Sequence, residues 1–330
     1  ATPPVRYRSK GRILETYKLS ILLVSFNHEA YIHQAMRSIL NQSFAGPVEL
    51  VVADDGSSDR TREIIQSYEN TDSRFHFKYL DHFPNRGITK NYQRGFAACS
   101  GSYVAVIEGD DYWCSPYKLQ RQSDFLDAHW QCGLCSVNYF VFEEGRCQFT
   151  PRVAIGGGHR FIGARDLIAE NIVGNFSTCM YRKTALDALP SRLFDIKSYD
   201  WIINICVARR SLIGFLEEPM SVYRLHAGGA WSQASNIDKL RMQLELIPAY
   251  SELTEDIFKA DFDVLTSRLS EAITASHMSQ CFKLAPPPVT RVMHHILDLV
   301  PPILIIVAKW LVPPVMKRFL VERLFGKRAP

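Results

Sequence analysis

Two short apolar runs in the first third of the chain each end in a cluster of carboxylates, and this repeated device restricts the fold more than any other feature. Val48-Glu49-Leu50-Val51-Val52-Ala53 runs into Asp54-Asp55-Gly56-Ser57-Ser58-Asp59, and Tyr103-Val104-Ala105-Val106-Ile107 runs into Glu108-Gly109-Asp110-Asp111-Tyr112-Trp113. Runs this short and apolar read as strands buried on both faces, as in parallel sheets covered by helices. The carboxyl ends of such strands border the crevice in which open α/β sheets hold ligands. Carboxylates crowded there repel one another, so the arrangement calls for a cation, and hard oxygen donors favour Mg2+ or Mn2+.

The intervening segments keep up the alternation. Lys18–Ser25 reads as a first strand, and Glu29–Asn41 places Ile32, Ala35, Met36, Ile39 and Leu40 at helical spacing. Ser58-Asp59 caps a helix through Tyr68, Phe75–Leu80 is a third strand, and Asn85-Arg86-Gly87 turns into a helix over Thr89–Cys99. A further helix over Pro116–His129 opens on its proline. Strand and helix thus alternate over residues 18–130, which predicts an α/β fold with a doubly wound, mostly parallel sheet. No G-x-G-x-x-G follows the first strand, which argues against a dinucleotide-binding domain.

Beyond residue 130 the pattern changes. Cys132–Phe142 reads as a strand with large aromatics, Gly156-Gly157-Gly158 as a loop, and Ala164–Asn171 and Tyr199–Val207 as short helices. A turn or strand leads to Val222-Tyr223-Arg224-Leu225-His226, and helices follow over Asn236–Tyr250 and Glu255–Phe282. Ile296–Phe325 is very apolar, but Pro301-Pro302 and Pro313-Pro314 cut it into pieces shorter than the ~20 residues of a spanning helix. Two readings remain for that tail. It lies on an anionic membrane surface, anchored by Trp310 and by Lys317, Arg318, Arg323, Lys327 and Arg328, or it packs as a helical pair on protein; the first is favoured. The expected organisation is a basic arm (1–17), a ligand-binding α/β half (18–130), a second half of the same domain (131–235) and a helical C-terminal extension (236–330).

The net charge of +4 is too mild for a nucleic-acid binder. Cys132 and Cys135 form an isolated C-x-x-C within an apolar run, and with no second pair at zinc spacing the eight cysteines read as mostly buried, reduced thiols. The first twenty residues lack the apolar core of a signal peptide, which sets the expectation of a cytoplasmic protein, peripheral on the inner membrane face.

Four ordered segments, VSFNHEAYIHQAMRSILNQSF, VVADDGSSDRT, NRGITKNYQRGFAACSGSYVAVIEGDDYW and SVYRLHAGGAWS, resemble the family 2 glycosyltransferases, inverting enzymes of the GT-A fold. The resemblance covers most of residues 18–232, and its EGDDYW and YRLHAGGAWS segments look most like bacterial enzymes that build lipopolysaccharide, capsule or other surface glycans. It implies transfer of a sugar from a nucleotide sugar, UDP-sugars favoured over GDP- and dTDP-sugars, to a hydroxyl of a glycan or lipid-linked acceptor, with Mn2+ or Mg2+.

It also implies site residues. Ser25, Asn27 and Glu29 line the nucleotide pocket, Asp55 meets base or ribose, and Asn85, Gly87 and Asn91 border the nucleotide. Asp54 and Asp59 read as local turn or cap groups. Lys90 and Arg94 reach phosphate or lie on a solvated helix face. The usual Asp-x-Asp is here Glu108-Gly109-Asp110, so Asp110 is the direct metal ligand, with Glu108 and Asp111 assisting through ribose, water or loop hydrogen bonds. Arg224 and His226, at i and i+2 of an extended run, both face one way. Either binds diphosphate, and His226 completes the metal shell. Asp200 at a helix start is the catalytic base, with helix capping as its other reading and Asp195 as runner-up. Asn175-Phe176-Ser177-Thr178 forms the acceptor-side floor. A nucleotidyltransferase is disfavoured because VSFNHEAY stands where a glycine- and basic-rich phosphate loop belongs. The remaining rival is a degenerate domain serving as a scaffold subunit of a glycan assembly complex; a homo-oligomer is compatible with either reading.

Overall fold

The computed structural model describes residues 5–9, 12–82, 84–197, 199–229 and 234–284. The chain opens with an antiparallel hairpin of β1 (Val5–Ser9) and β2 (Arg12–Thr16), a two-stranded sheet of its own. The sequence reads here as a basic arm, because its charge hides the period-2 pattern of Val5, Tyr7 and Ser9 between basic residues.

The alternating half follows its expected order: β3 (Leu19–Ser25), α1 (Ile32–Leu40), β4 (Val48–Asp54), α2 (Thr61–Gln66), β5 (Phe75–Tyr79), α3 (Ile88–Ala98), β6 (Tyr103–Glu108), β7 (Tyr112–Trp113) and α4 (Lys118–Ala128). β3 pairs in parallel with both β4 and β6, and β4 with β5. All seven residues of β3 and of β4 are buried. Alternate residues serve opposite faces. Ile21, Leu23, Leu50, Val52, Ala105 and Ile107 join one core with Ala35, Met36 and Ile39 of α1 and Leu119 of α4. On the other face α3 sits so close to β3 that a Cβ on Gly95 would lie 2.6 Å from the Leu22 side chain.

The later elements are β8 (Cys132–Glu143), β9 (Gln148–Pro151), β10 (His159–Ile162), α5 (Ala164–Ala169), β11 (Cys179–Arg182), α6 (Lys183–Asp187), α7 (Asp200–Ala208), β12 (Leu212–Leu225), α8 (Asn236–Leu253) and α9 (Lys259–Leu284). The strand order is β10-β12-β8-β11-β6-β3-β4-β5, with β7 pairing β12 and β9 pairing β8. β11 runs antiparallel to both β6 and β8 and so joins the two halves of the sheet. β12 reads in the sequence as fragments because Pro219 lacks the N–H for a ladder bond, and the register against β8 shifts on both sides of it.

The chain divides into two compact units, one of residues 1–234 with 246–265, the other of 235–245 with 266–330. Within the described part of the second, Arg241 Nη2 and His277 Nε2 lie 2.8 Å apart. Cys132 and Cys135 are buried and free, whereas Cys114 and Cys147 are free and exposed. No described helix is long and apolar enough to cross a membrane. The expected membrane-surface tail at 296–325 lies outside the described residues, as do Trp231 and Ser232.

Candidate active site

The loops after β3 and β4 knit into one hydrogen-bonded unit. Ser25 Oγ donates to Asp54 Oδ1 (3.0 Å), and Asn27, in the left-handed region at φ +54°, donates its N–H to Ser57 Oγ (2.9 Å) and accepts from the Ser58 N–H (2.9 Å). Asparagine tolerates that conformation better than most residues. Glu29 receives the Arg60 N–H (3.1 Å) and Nε (2.7 Å), and its own N–H donates to Asp59 (3.0 Å). The hydrogen bonds from the Arg60 backbone N–H and then its guanidinium hold the Glu29 carboxyl below its ordinary range. Asp54 is fully enclosed by Ser25, Ser57 and His82, a local role of the kind the sequence suggests for it.

Asp55 is buried and accepts the N–H groups of Arg86 and Gly87, both at 3.0 Å, while Asn85 Oδ1 also accepts from Gly87 (2.9 Å). Gly87 is at φ +88°, a conformation its lack of a Cβ permits at the start of α3. Asn91, also buried, donates to the Ala53 carbonyl (2.7 Å) and accepts from Arg94 Nε (2.7 Å). Lys90 pairs with Asp195 at 2.7 Å, and both side chains are largely exposed.

The turn after β6 presents the acidic cluster, and its members face different ways. Asp110 Oδ2 lies 3.1 Å from His226 Nε2 and 3.7 Å from His28 Nε2. Burial works to raise the Asp110 carboxyl, but the His226 hydrogen bond and the two imidazoles outweigh it and hold it below its usual range. Glu108 turns toward α3, where Tyr92 Oη donates to it at 2.8 Å. Burial and the neighbouring Asp110 raise it to about 8. Asp111 is buried with both oxygens engaged, by Ser177 Oγ (2.6 Å) and the Arg224 N–H (2.9 Å); burial and its acidic neighbours raise it well above its ordinary value. A Cβ on Gly109 would lie 2.8 Å from His28 Nδ1, so glycine between the two acids is what lets the imidazole reach Asp110.

Arg224 is 8% exposed, and its guanidinium is spent on protein groups. It donates to the Asp110 carbonyl (2.9 Å) and to Gln34, and lies over the rings of Tyr31 (4.9 Å), Tyr112 (5.6 Å) and Phe142 (5.6 Å). Asp200 opens α7, with Asn171 Nδ2 3.5 Å from its carboxylate. Burial raises its pKa to about 6, and its charge in turn contributes to raising Glu108. Asp195, the alternative base, is instead tied to Lys90. In the segment before β11, both ends of the Asn175 carboxamide are buried without a hydrogen-bond partner, a cost that native structures rarely bear.

The structure thus brings Asp110, Glu108, Asp111, His226 and Arg224 together at the end of β6, and Ser25, Asn27, Glu29, Asp55, Asn85 and Asn91 along the neighbouring loops. Sequence reasoning missed His28, Tyr92 and Tyr31. The only signal for His28 was its place between Asn27 and Glu29. Among the described residues no three His, Cys, Asp or Glu side chains converge as a ready metal centre. Asp110 with His226 nonetheless supplies the carboxylate and imidazole of a partial shell of the kind Mn2+ or Mg2+ completes with phosphate oxygens and water.

The model of the family described as Glycosyl transferase family 2 matches residues 20–189, half the chain. The protein belongs to that family. An uncharacterized Mycobacterium tuberculosis protein is 32% identical to this glycosyltransferase-family chain over 219 residues, 66% of this chain and 61% of the relative. The chain therefore spans about three fifths of that relative's length. The putative teichuronic acid biosynthesis glycosyltransferase TuaG of Bacillus subtilis is 34% identical over 126 residues, covering 38% of this chain and 48% of its own. The GalNAc(5)-diNAcBac-PP-undecaprenol beta-1,3-glucosyltransferase of Campylobacter jejuni is 33% identical over 94 residues, 28% of this chain and 30% of its own. Two solved structures share the fold. S. aureus TarS in complex with UDP-GlcNAc superposes with a TM-score of 0.57 at 20% identity, over 77% of this chain and 72% of that one. Mannosyltransferase PcManGT of Pyrobaculum calidifontis, in complex with GDP-Man and Mn2+, gives 0.58 at 15% identity, over 94% and 88%. These likenesses establish the GT-A architecture of the family 2 member described here.

Proposed function

We propose that this family 2 member is a metal-dependent inverting glycosyltransferase that moves a sugar from a nucleotide sugar, with UDP-sugars favoured, to a hydroxyl of a glycan or lipid-linked acceptor in bacterial surface-polysaccharide synthesis. The observation that carries the reading is the pairing of Asp110 and His226 at the end of β6 together with Asp200, raised to about 6, at the start of α7. The named activities of the Bacillus and Campylobacter relatives support the surface-glycan role.

The nucleotide lies along the β3 and β4 loops, with Asp55, oriented by the Arg86 and Gly87 amides, toward base or ribose. Asp110 and His226 would hold the metal, which would neutralise charge on the departing diphosphate. Arg224 positions Asp110 by fixing its carbonyl and, through its own N–H, the Asp111 carboxylate. Asp200 takes the proton of the acceptor hydroxyl. Its pKa of about 6 keeps it ionised at neutral pH yet more basic than an ordinary aspartate, which suits a general base. Attack on the face of the anomeric carbon opposite the diphosphate inverts its configuration. The tail at 296–325 supplies contact with an anionic membrane surface, a reading supported by sequence alone.

A thermal-shift series with UDP-, GDP-, dTDP- and CMP-sugars, each with and without Mn2+, tests the reading. A ligand at about 100 times its dissociation constant stabilises by ~2.7 kcal/mol. The expected result is a shift with one nucleotide class that requires metal. The absence of a shift with every donor would instead favour the scaffold reading.

A further inference from the structure

The β8–β9 hairpin carries an aromatic face that the donor chemistry does not use. Phe142 of β8 pairs directly with Phe149 of β9 on one side and with Arg224 of β12 on the other. Residues paired across neighbouring strands share a face of the sheet. Phe140, two residues from Phe142 on β8, therefore lies on that face as well. The rings of Phe142 and Phe149 stack at 4.4 Å with an interplanar angle of 23°. Phe149 is half exposed, and all four residues of β9 are open to solvent.

This face leads inward without a break. From Phe142 the stack continues to the Arg224 guanidinium at 5.6 Å, then to the Tyr31 ring at 4.9 Å. Tyr31 lies 4.4 Å from the His226 ring, and His226 lies 3.1 Å from Asp110. A row of flat groups thus runs from open solvent to the acidic turn. Its outer end, at β8 and β9, lies on the other side of β6 from β3 and β4 in the strand order, and it meets the loop after β3 only at Tyr31.

We infer that the Phe140–Phe142–Phe149 face is a sugar-stacking platform that receives the acceptor glycan and guides it toward Asp110. Sugar rings present an apolar face of axial C–H groups, whose partial positive charge suits the negative face of an aromatic ring. Their equatorial hydroxyls need hydrogen-bond partners at the rim. Glu144, exposed at the hairpin end and 3.2 Å from Tyr31 Oη, stands at that edge. A lipid chain fits less well, because β9 pairs only with β8 and all four of its residues are open to solvent, so the platform has no outer wall to enclose it. The inference rests on the glycosyltransferase reading and specifies where its acceptor binds.

The test is saturation-transfer difference NMR on the full chain with UDP and Mg2+. The probes are methyl β-glycosides of glucose, galactose and N-acetylglucosamine, with methyl α-mannoside and farnesyl phosphate. At least one glycoside is expected to receive saturation at the C–H protons of a single ring face. That signal should fall at least fivefold in Phe149→Ala, return in Phe149→Trp, and leave UDP binding unchanged in both. Equal transfer in wild type and Phe149→Ala, or no glycoside signal at all beside intact UDP binding, overturns the platform alone. Phe149-dependent saturation of farnesyl phosphate and of no glycoside reassigns the face to lipid and also overturns it. Failure of every nucleotide sugar to bind would instead strike the glycosyltransferase reading.

Discussion

The two halves of the sheet solve different problems. Around β3, β4 and β6 the strands are parallel and buried, and the loops at their carboxyl ends bond to one another: Asn27 to Ser57 and Ser58, Glu29 to Arg60, Asp55 to the Gly87 turn. Around β8, β9 and β12 the sheet is mixed, bulged at Pro219 and partly open, and it leaves Phe149 half exposed. The first region holds its loops in one arrangement through those bonds. The second keeps an aromatic face, with Phe149 half exposed, open to solvent. On the proposed reading the nucleotide is common to many reactions of this fold, and the acceptor differs with each, so rigidity belongs to one half and adaptability to the other.

This contrast can be broken at several points. The largest effect is expected in the shared turn: Asp110→Ala should weaken Mn2+-dependent donor binding at least about 100-fold, since even outer-shell losses cost 10–100-fold. Isothermal titration with and without Mn2+ checks this, and equal affinities would remove Asp110 from the metal site.

Next comes the seam. Ser177 Oγ donates to Asp111 and accepts the Glu108 N–H (3.1 Å), so one hydroxyl ties the acidic turn after β6 to the segment that leads into β11. Ser177→Ala should cost about 1–3 kcal/mol, the penalty of an unpaired buried group, in urea unfolding. A smaller loss would mean the turn holds its shape without that tie.

Lys118 of α4 is fully buried, donates to Gln122 Oε1 (2.8 Å) and lies 4.4 Å from the Trp113 ring. Burial lowers its pKa from 10.5 to about 7. Between pH 7 and 10.5 the unfolded chain therefore holds a proton there that the folded chain does not, so this group makes stability rise with pH, by at most about 1.4 kcal/mol per unit. Lys118→Met should flatten that rise in melting curves taken from pH 7 to 9. An unchanged slope would assign it to other groups. The smallest effect is expected at the exposed Arg121–Glu218 pair, where Arg121→Ala should change stability by about 0–1 kcal/mol.

The same contrast explains what the sequence disclosed. β3, β4 and β6 were legible because both faces are buried, which leaves an uninterrupted apolar run, and their acidic ends marked the site. β9 and β10 were not, because their exposed residues carry no such signature. β12 was hidden by Pro219. The convergence of Asp110 with His226 and of Asp111 with Arg224 spans more than a hundred residues and depends on β11 joining the two halves. His28 and Tyr92 act on the acidic turn only through that tertiary packing, so local pattern held no trace of their roles. Arg224 was read as a diphosphate ligand from its place beside His226, and the three rings around it, Tyr31, Tyr112 and Phe142, come from three separate segments that local pattern does not connect.

The central claim is that Asp200 removes the acceptor proton beside a donor held by the other half. The direct measurement is the pH dependence of kcat for wild type and Asp200→Asn, with donor affinity read in parallel. Wild type should lose activity as pH falls through about 6, where Asp200 becomes protonated. Asp200→Asn should keep its donor affinity and lose about 10²–10⁴-fold in kcat. An Asp200→Asn enzyme with wild-type turnover and the same acid limb would contradict the account and place the base elsewhere.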